Sequence, residues 1–166
     1  IIDARSFGTV SVDEVLTGVR ESDVVFVGES HDNREHHEAQ LAVIRGLHES
    51  GDRVAIALEM FRASSQKALD DWVAGSISEQ AFAREFADNW TGGYWPVYRP
   101  IFAYARSMKI PMVGLNIDRG IVRHVSRNGV EALPAGSDPR YKSVSCDPAD
   151  RYRKSLSDLA AGHMSP

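Results

Sequence analysis

The chain has 166 residues, of which 43% are hydrophobic and 25% charged, and these values are typical of one globular domain. Its formal net charge of −4 provides no basic field for phosphates, so nucleic acid is not an expected partner. The single cysteine, Cys146, excludes an internal disulfide and any site built from several cysteines.

The first third of the chain predicts a helix, a strand and a second helix. Ser11 and Glu14 have the spacing of a capping box, which predicts a short amphipathic helix. Residues 24–27 are all β-formers and predict a strand buried on both faces. Asp32 begins a second helix, again with capping-box spacing, and Gly51 ends it.

The middle of the chain repeats this order. Residues 54–58 predict a second buried strand, which Glu59 follows directly. An amphipathic helix then ends at Gly75, and Ser78 can cap the next helix. Residues 90–96 form a loop rich in glycine and aromatic residues, which is the kind of loop that often covers a site.

The last predicted strand covers residues 111–115, after a helix over 97–107. Asp118 can cap a further helix that ends before Gly129. Residues 131–166 are less regular, with a helix expected only at 150–160.

Alternating strands and helices predict an α/β fold with a mostly parallel sheet and flanking helices. We expect a single domain over residues 1–166. Three strands make a thin sheet, so we also expect C-terminal elements beyond Pro166. The start at Ile1 suggests a mature product, with a signal peptide or lipid anchor upstream left open.

Polar side chains occur at the ends of all three predicted strands. Glu29 and His31 follow the first strand, Glu59 the second and Asn116 the third. Ligands of parallel sheets bind beyond the carboxyl ends of the strands, so we expect one pocket built from these four residues. The alternative assigns the carboxylates to helix N-termini, His31 to a hydrogen-bonded turn and Asn116 to its own turn.

Neighbouring residues leave further alternatives open. Either His36 or His37, at the start of the second helix, is expected to point toward the pocket. Tyr98 fits either core packing or a role as a phenolate ligand. The arginines that recur every fourth position form either a solvated face or a clamp for carboxylates or phosphates. They are Arg119, Arg123 and Arg127.

The order of motifs from Val24 to Gly129 resembles the ChaN-type haem-binding uptake proteins of the Tiki superfamily. The matching positions are Gly28, Glu29, Ser30, His31, Asp32, Asn33, His37, Gln40, Leu58, Glu59, Met60, Phe61, Gln66, Trp90, Trp95, Tyr98, Ala105, the strand at 111–116, Arg119, Arg127, Asn128 and Gly129. The resemblance implies an exported or lipid-anchored bacterial protein of haem or iron acquisition. It also implies haem held between the subunits of a homodimer, with tyrosine as the expected ligand type.

As a haem carrier, the protein needs an apolar slot, an axial ligand and cations near the propionates. We expect Tyr98 as the ligand, with Tyr94 and Tyr104 as fallbacks. Trp90 and Trp95 would line the slot, and Arg119 and Arg123 would meet the propionates.

The alternative function is a metal-dependent hydrolase, because related branches of the superfamily use the same motif for hydrolysis. Glu29, His31 and Glu59 would then hold a divalent metal or act as acid and base, with Asn116 in the pocket.

Overall fold

The structure is a computed structural model that describes residues 1–134, 136–139, 141, 152–155 and 157–158. The helices and strands assigned in this part of the chain are α1 (Val12–Val19), α2 (Arg34–Glu49), β1 (Ile56–Arg62), α3 (Gln66–Ala74), α4 (Glu79–Asn89), α5 (Trp95–Met108), β2 (Met112–Asn116) and α6 (Arg119–Asn128). Short 3-10 turns lie at Ala63–Ser65, Gly92–Tyr94 and Val130–Ala132. The chain divides into two compact units, Ile1–Asp118 and Arg119–Pro166.

The sheet of the first unit consists of β1 and β2, which pair in parallel with Ile56 opposite Met112. Helices α3, α4 and α5 connect the two strands, so this part of the chain is a strand–helix–strand crossover. The predicted α/β class with a parallel sheet and flanking helices is therefore confirmed.

The core of the first unit is an aromatic cluster contributed by one face of the sheet and by three helices. Phe82 of α4 stacks on Trp72 of α3 at 4.4 Å between ring centroids, and it also packs against Phe61 and Phe102. The indole of Trp72 donates to the carbonyl of Phe102, 2.8 Å away, so its polar atom is satisfied inside the core. This core fixes α5 against β1.

Gly114 of β2 lies against the backbone of Phe61 and Arg62 at the end of β1. A Cβ at this position would lie 2.6 Å from the carbonyl oxygen of Arg62. On the other edge of β2, the Gln66 amide donates to the Met112 carbonyl at 2.7 Å and accepts from the Gly114 amide at 3.0 Å. Gly114 therefore leaves room for β1, while Gln66 occupies two backbone groups on the outer edge.

The predicted strand at residues 24–27 is wrong, because no strand is assigned there. Val24 and Phe26 are 66% and 92% exposed. The carbonyl of Val27 accepts a hydrogen bond from the Gln40 side chain at 3.0 Å rather than from a neighbouring strand. A run of β-formers becomes a strand only when another strand pairs with its backbone.

Two strand boundaries also differ from the predictions. The strand β1 continues to Arg62, so Glu59 lies within it instead of following it. Asn116 is the last residue of β2 instead of the first residue after it. The backbone therefore remains extended beyond the most hydrophobic stretch of each strand.

The helix caps agree with the predictions in two of four places. Ser11 forms the expected capping box at α1, and Ser78 caps α4. At α2 the cap is Asn33 rather than Asp32, because Asn33 accepts from two amides of the first turn. Asp118 accepts instead from the Ser64 hydroxyl at 2.8 Å, and no cap of α6 is assigned to it.

In the second unit, α6 is followed by the turn Val130–Ala132, and His124 Nε2 bonds to the Ala132 carbonyl at 2.8 Å. Of the helix predicted at 150–160, the described residues 152–155 and 157–158 are helical. The rest of that helix and Cys146 lie outside the described residues. The single domain over 1–166 stays a prediction.

Candidate functional site

The centre of the candidate site is the pair Glu29 and His31, held by Tyr98 of α5. His31 Nδ1 lies 2.6 Å from Glu29 Oε1, and the Tyr98 hydroxyl donates to the same oxygen at 2.7 Å. The Glu29 side chain is only 9% exposed, whereas that of His31 is 43% exposed. The sequence prediction that Glu29 and His31 share a site therefore agrees with this geometry.

The second oxygen of Glu29, Oε2, is buried, has no hydrogen-bond partner among the described residues and lies 3.7 Å from His37 Nε2. Burial raises the pKa of the Glu29 carboxyl. The hydrogen bonds from Tyr98 and His31, with the charges of His31 and His37, outweigh burial and hold this pKa below its ordinary value. Glu29 is therefore a buried carboxylate that stays ionised at neutral pH.

His37 and Gln40 hold the loop that carries Glu29. The Gln40 amide nitrogen donates to the Val27 carbonyl, so its oxygen is the atom 3.1 Å from His37 Nδ1. The other ring nitrogen of His37 lies 3.2 Å from the His31 carbonyl. The sequence left open which of two histidines faces the site, and the buried one is His37, whereas His36 is exposed.

The side chains of the three candidate tyrosines differ in how accessible they are to solvent. Tyr98 is fully buried, and burial together with the hydrogen bond to Glu29 raises the pKa of its hydroxyl further above the ordinary value. Burial, assisted by Glu49, also raises the pKa of Tyr104, which is only 7% exposed. Tyr94 is half-buried, and its ring lies 6.2 Å from that of His31. These environments disfavour a phenolate at Tyr98 and leave Tyr94 as the accessible tyrosine.

Aromatic rings border the exposed side chain of His31. Trp90 meets the imidazole edge-on at 5.0 Å, and Tyr94 lies on another side. The indole nitrogen of Trp90, like Glu29 Oε2, is buried and has no hydrogen-bond partner in the described part of the chain. Buried polar atoms are rarely left unpaired, so two such atoms beside His31 fit a site that receives a polar ligand or water.

Glu59 and Asn116 contribute less directly than predicted. The side chain of Glu59 is exposed, and its charge contributes to raising the pKa of Tyr98. The Asn116 amide donates to the backbone carbonyl of Glu59 at 3.0 Å. Its oxygen accepts from the next amide in the chain at 2.8 Å. The Asn116 side chain is therefore already bonded to the backbone and joins β2 to β1.

The other residues predicted to contact haem are Trp95, Arg119 and Arg123. Trp95 stacks on Phe102 at 5.5 Å between ring centroids, and it is partly buried against the aromatic core. Its role in lining a slot stays a prediction. Arg119 and Arg123 are exposed on α6 of the second unit.

The predicted metal ligands do not form a metal site. Within the described residues, no group of three or more His, Cys, Asp or Glu side chains is placed to hold a metal ion. Glu29 Oε1 accepts from both Tyr98 and His31, and Glu59 lies exposed within β1. These positions do not bring Glu29, His31 and Glu59 together around one ion.

A surface depression of about 600 Å³ lies apart from the site. It is lined by Trp72, Gly75, Glu79, Ala103, Arg106, Ser107 and Lys109, none of which belongs to the Glu29–His31 pair. Arg106 and Lys109 donate there to carbonyls at the end of α3 and just beyond it, so their charges already have partners.

In the described part of the chain, no helix is long and apolar enough to cross a membrane.

Comparison with known proteins identifies the family to which the chain belongs. Over 99% of its length the chain superposes on a solved structure of cofacial haem binding to ChaN of Campylobacter jejuni, with a TM-score of 0.71, 19% identity and 64% of that chain covered. It is 22% identical over 124 residues to Protein RETICULATA-RELATED 5, chloroplastic, of Arabidopsis thaliana; the match covers 71% of this chain and 17% of that protein. Residues 15–166 match the family described as haem-binding uptake, Tiki superfamily, ChaN. The chain therefore belongs to the ChaN family of haem-binding uptake proteins in the Tiki superfamily.

Proposed function

We propose that this protein binds haem beside His31 and serves an exported system of bacterial haem or iron uptake. The family supports the ligand class. The observation that carries the proposal is the surrounding of His31, which combines two aromatic rings with two buried polar atoms, Glu29 Oε2 and Trp90 Nε1, that have no hydrogen-bond partner among the described residues. Haem requires this combination of apolar surface and polar groups.

Tyr94 is the tyrosine that this proposal assigns to the haem iron. Of the three candidates it is the one that is neither fully buried nor bonded to Glu29 or Glu49. Binding of the propionates by Arg119 and Arg123 stays a prediction from the sequence, based on the two parallel hydrogen bonds that arginine forms with a carboxylate.

A homodimer is part of the proposal. Trp90 and Tyr94 form a wall beside His31, and a flat macrocycle needs apolar contacts on both faces. A second copy of the chain would supply the opposite wall. Lipid anchoring upstream of Ile1 would hold such a dimer at a membrane surface.

Titration of the purified protein with haemin tests the proposal. We expect saturable binding, a charge-transfer band typical of phenolate-bound ferric haem, and a rise in mass toward the dimer in analytical ultracentrifugation. Tyr94→Phe should abolish the charge-transfer band, whereas Tyr104→Phe, a matched change in a buried tyrosine, should keep it. Haemin uptake that never saturates would refute haem binding.

A hydrolase remains a second candidate because of the short Glu29–His31 hydrogen bond. A carboxylate that orients an imidazole is a common arrangement for general-base catalysis. His31, oriented by Glu29 at 2.6 Å, would act as the base. Turnover of ester or peptide substrates that His31→Gln abolishes would support this candidate.

A further inference from the structure

Helix α6 of the second unit separates its polar from its apolar residues more strongly than any other helix in the described part of the chain. Its arginines fall within about 80° of the helix surface, and its apolar side chains within about 100° on the other side. The arginines are Arg119, Arg123 and Arg127, and the apolar residues are Ile121, Val122 and Val125. The helix contains no Asp or Glu, so it is a basic amphipathic helix.

The three arginines of α6 are exposed and unpaired. Among the described residues, none of their side chains forms an ion pair or a hydrogen bond. In the first unit, by contrast, Arg20 and Arg99 each pair with a carboxylate. An unpaired guanidinium is free to bind a phosphate through two parallel hydrogen bonds. The polar side of α6 is therefore suited to an anionic partner.

The apolar side of α6 is not enclosed by the fold. Val122 is 51% exposed, and Ile121 and Val125 are half-buried. No residue of this helix is buried, although the apolar face of a helix normally packs against a core. Part of this face is therefore open to another apolar surface.

The charge of the chain is distributed unevenly along the sequence. Residues 119–166 contain eight Arg and Lys against five Asp and Glu, a formal net charge of +3, although the whole chain carries −4. Such an asymmetry favours contact with an anionic macromolecule or a membrane. A nucleic acid would use the arginines alone, whereas a lipid surface offers phosphates to the arginines and acyl chains to the apolar side.

We propose that α6 lies flat on an anionic lipid surface, with its arginines at the lipid phosphates and Val122 at the boundary of the acyl chains. This contact goes beyond haem binding and requires neither haem nor a lipid anchor. Arg119 and Arg123 are also predicted to meet the propionates, so the experiment uses the haem-free protein.

Sedimentation of the haem-free protein with vesicles tests this contact. One set of vesicles is phosphatidylcholine alone, and the other contains one third phosphatidylglycerol. We expect binding only to the second set. This binding should weaken strongly at about 1 M salt, where the screening length falls to about 3 Å.

Substitutions on the polar side of α6 locate the contact. Arg127→Gln should lower the vesicle partition coefficient about fivefold, which is the contribution of one arginine near an anionic surface. Replacing all three arginines of α6 by Gln should lower it about 100-fold. Arg84→Gln, at an exposed position of α4, is the matched control and should leave it unchanged.

A substitution on the apolar side tests insertion. Val122→Gln should lower the partition coefficient about fivefold, because a half-exposed valine would lose its burial in the interface. Val113→Gln, at a valine of β2 that is 43% exposed, is the matched control and should have no effect. Circular dichroism verifies that each variant is folded.

Three results would overturn the proposal. The first is equal binding to both sets of vesicles, or binding to neither. The second is a loss in Arg84→Gln as large as that in Arg127→Gln, which would assign the effect to net charge rather than to α6. The third is full binding by Val122→Gln, which would leave a purely electrostatic contact with no role for the apolar side. None of these results would affect haem binding, which the haemin titration tests separately.

Discussion

Removal of the Tyr98 hydroxyl tests the buried hydrogen bond that organises the candidate site. In Tyr98→Phe the ring stays in the aromatic core, and the bond to Glu29 Oε1 is lost together with the long 3.5 Å contact to His31 Nδ1. Hydrogen bonds to charged groups contribute about 1.5–3 kcal/mol, and Glu29 Oε1 keeps its bond to His31, so we expect a loss of about 2 kcal/mol. For a chain of this length that corresponds to a fall in Tm of about 4–8 °C.

The pH dependence of this loss identifies its cause. Glu29 has a folded pKa below its ordinary value of 4.5, so its ionised form stabilises the fold above that pH. This contribution disappears as the pH falls through the folded pKa, because the carboxyl is then protonated in both states. The difference between wild type and Tyr98→Phe in urea unfolding should therefore be largest near pH 7 and shrink below pH 4.5. A difference that is absent at pH 7, or equally large in acid, would refute the reasoning.

Two further substitutions test the packing of the sheet. Gly114→Ala should destabilise the protein by at least about 2 kcal/mol, because the new Cβ would lie 2.6 Å from a backbone oxygen of Arg62 and the strands would have to separate. Thermal unfolding measures this loss, and an unchanged Tm would contradict the close approach. Asn89→Ala should cost about 1–3 kcal/mol in urea unfolding, since the buried Asn89 oxygen accepts from the Arg62 amide at 3.0 Å. Asn89→Asp should cost at least as much, because it sets a carboxylate oxygen against the Glu85 carbonyl that now accepts from the Asn89 amide at 2.9 Å, and a variant as stable as the wild type would count against this role.

Local sequence patterns predicted much of this structure because they act over short distances. The capping residues Ser11 and Ser78 work within one helical turn, and the apolar faces of α3, α4 and α5 follow helical periodicity. The resemblance to a family was carried by the order of motifs, and the match over residues 15–166 confirmed it.

These local patterns do not predict contacts between residues that lie far apart in the sequence. Strand formation at residues 24–27 depends on a partner strand, which no local signal reports. The periodicity of α5 is compatible with a buried Tyr98, but it does not reveal that the hydroxyl meets Glu29, 69 positions away. His36 and His37 lie about 100° apart around α2, so the inward residue is decided by how α2 packs on α5. Tertiary contacts therefore select the site from several candidates.

The hydrogen bonds of the Gln66 side chain affect how the edge of β2 can pair with a strand of another molecule. An exposed edge strand is a template on which a foreign strand can add, and this is a common route to aggregation. Gln66 offers β2 one donor and one acceptor at the positions where an added strand would bond. An incoming chain would have to displace both bonds before it could pair there. A single side chain thus protects this edge from intermolecular β-pairing.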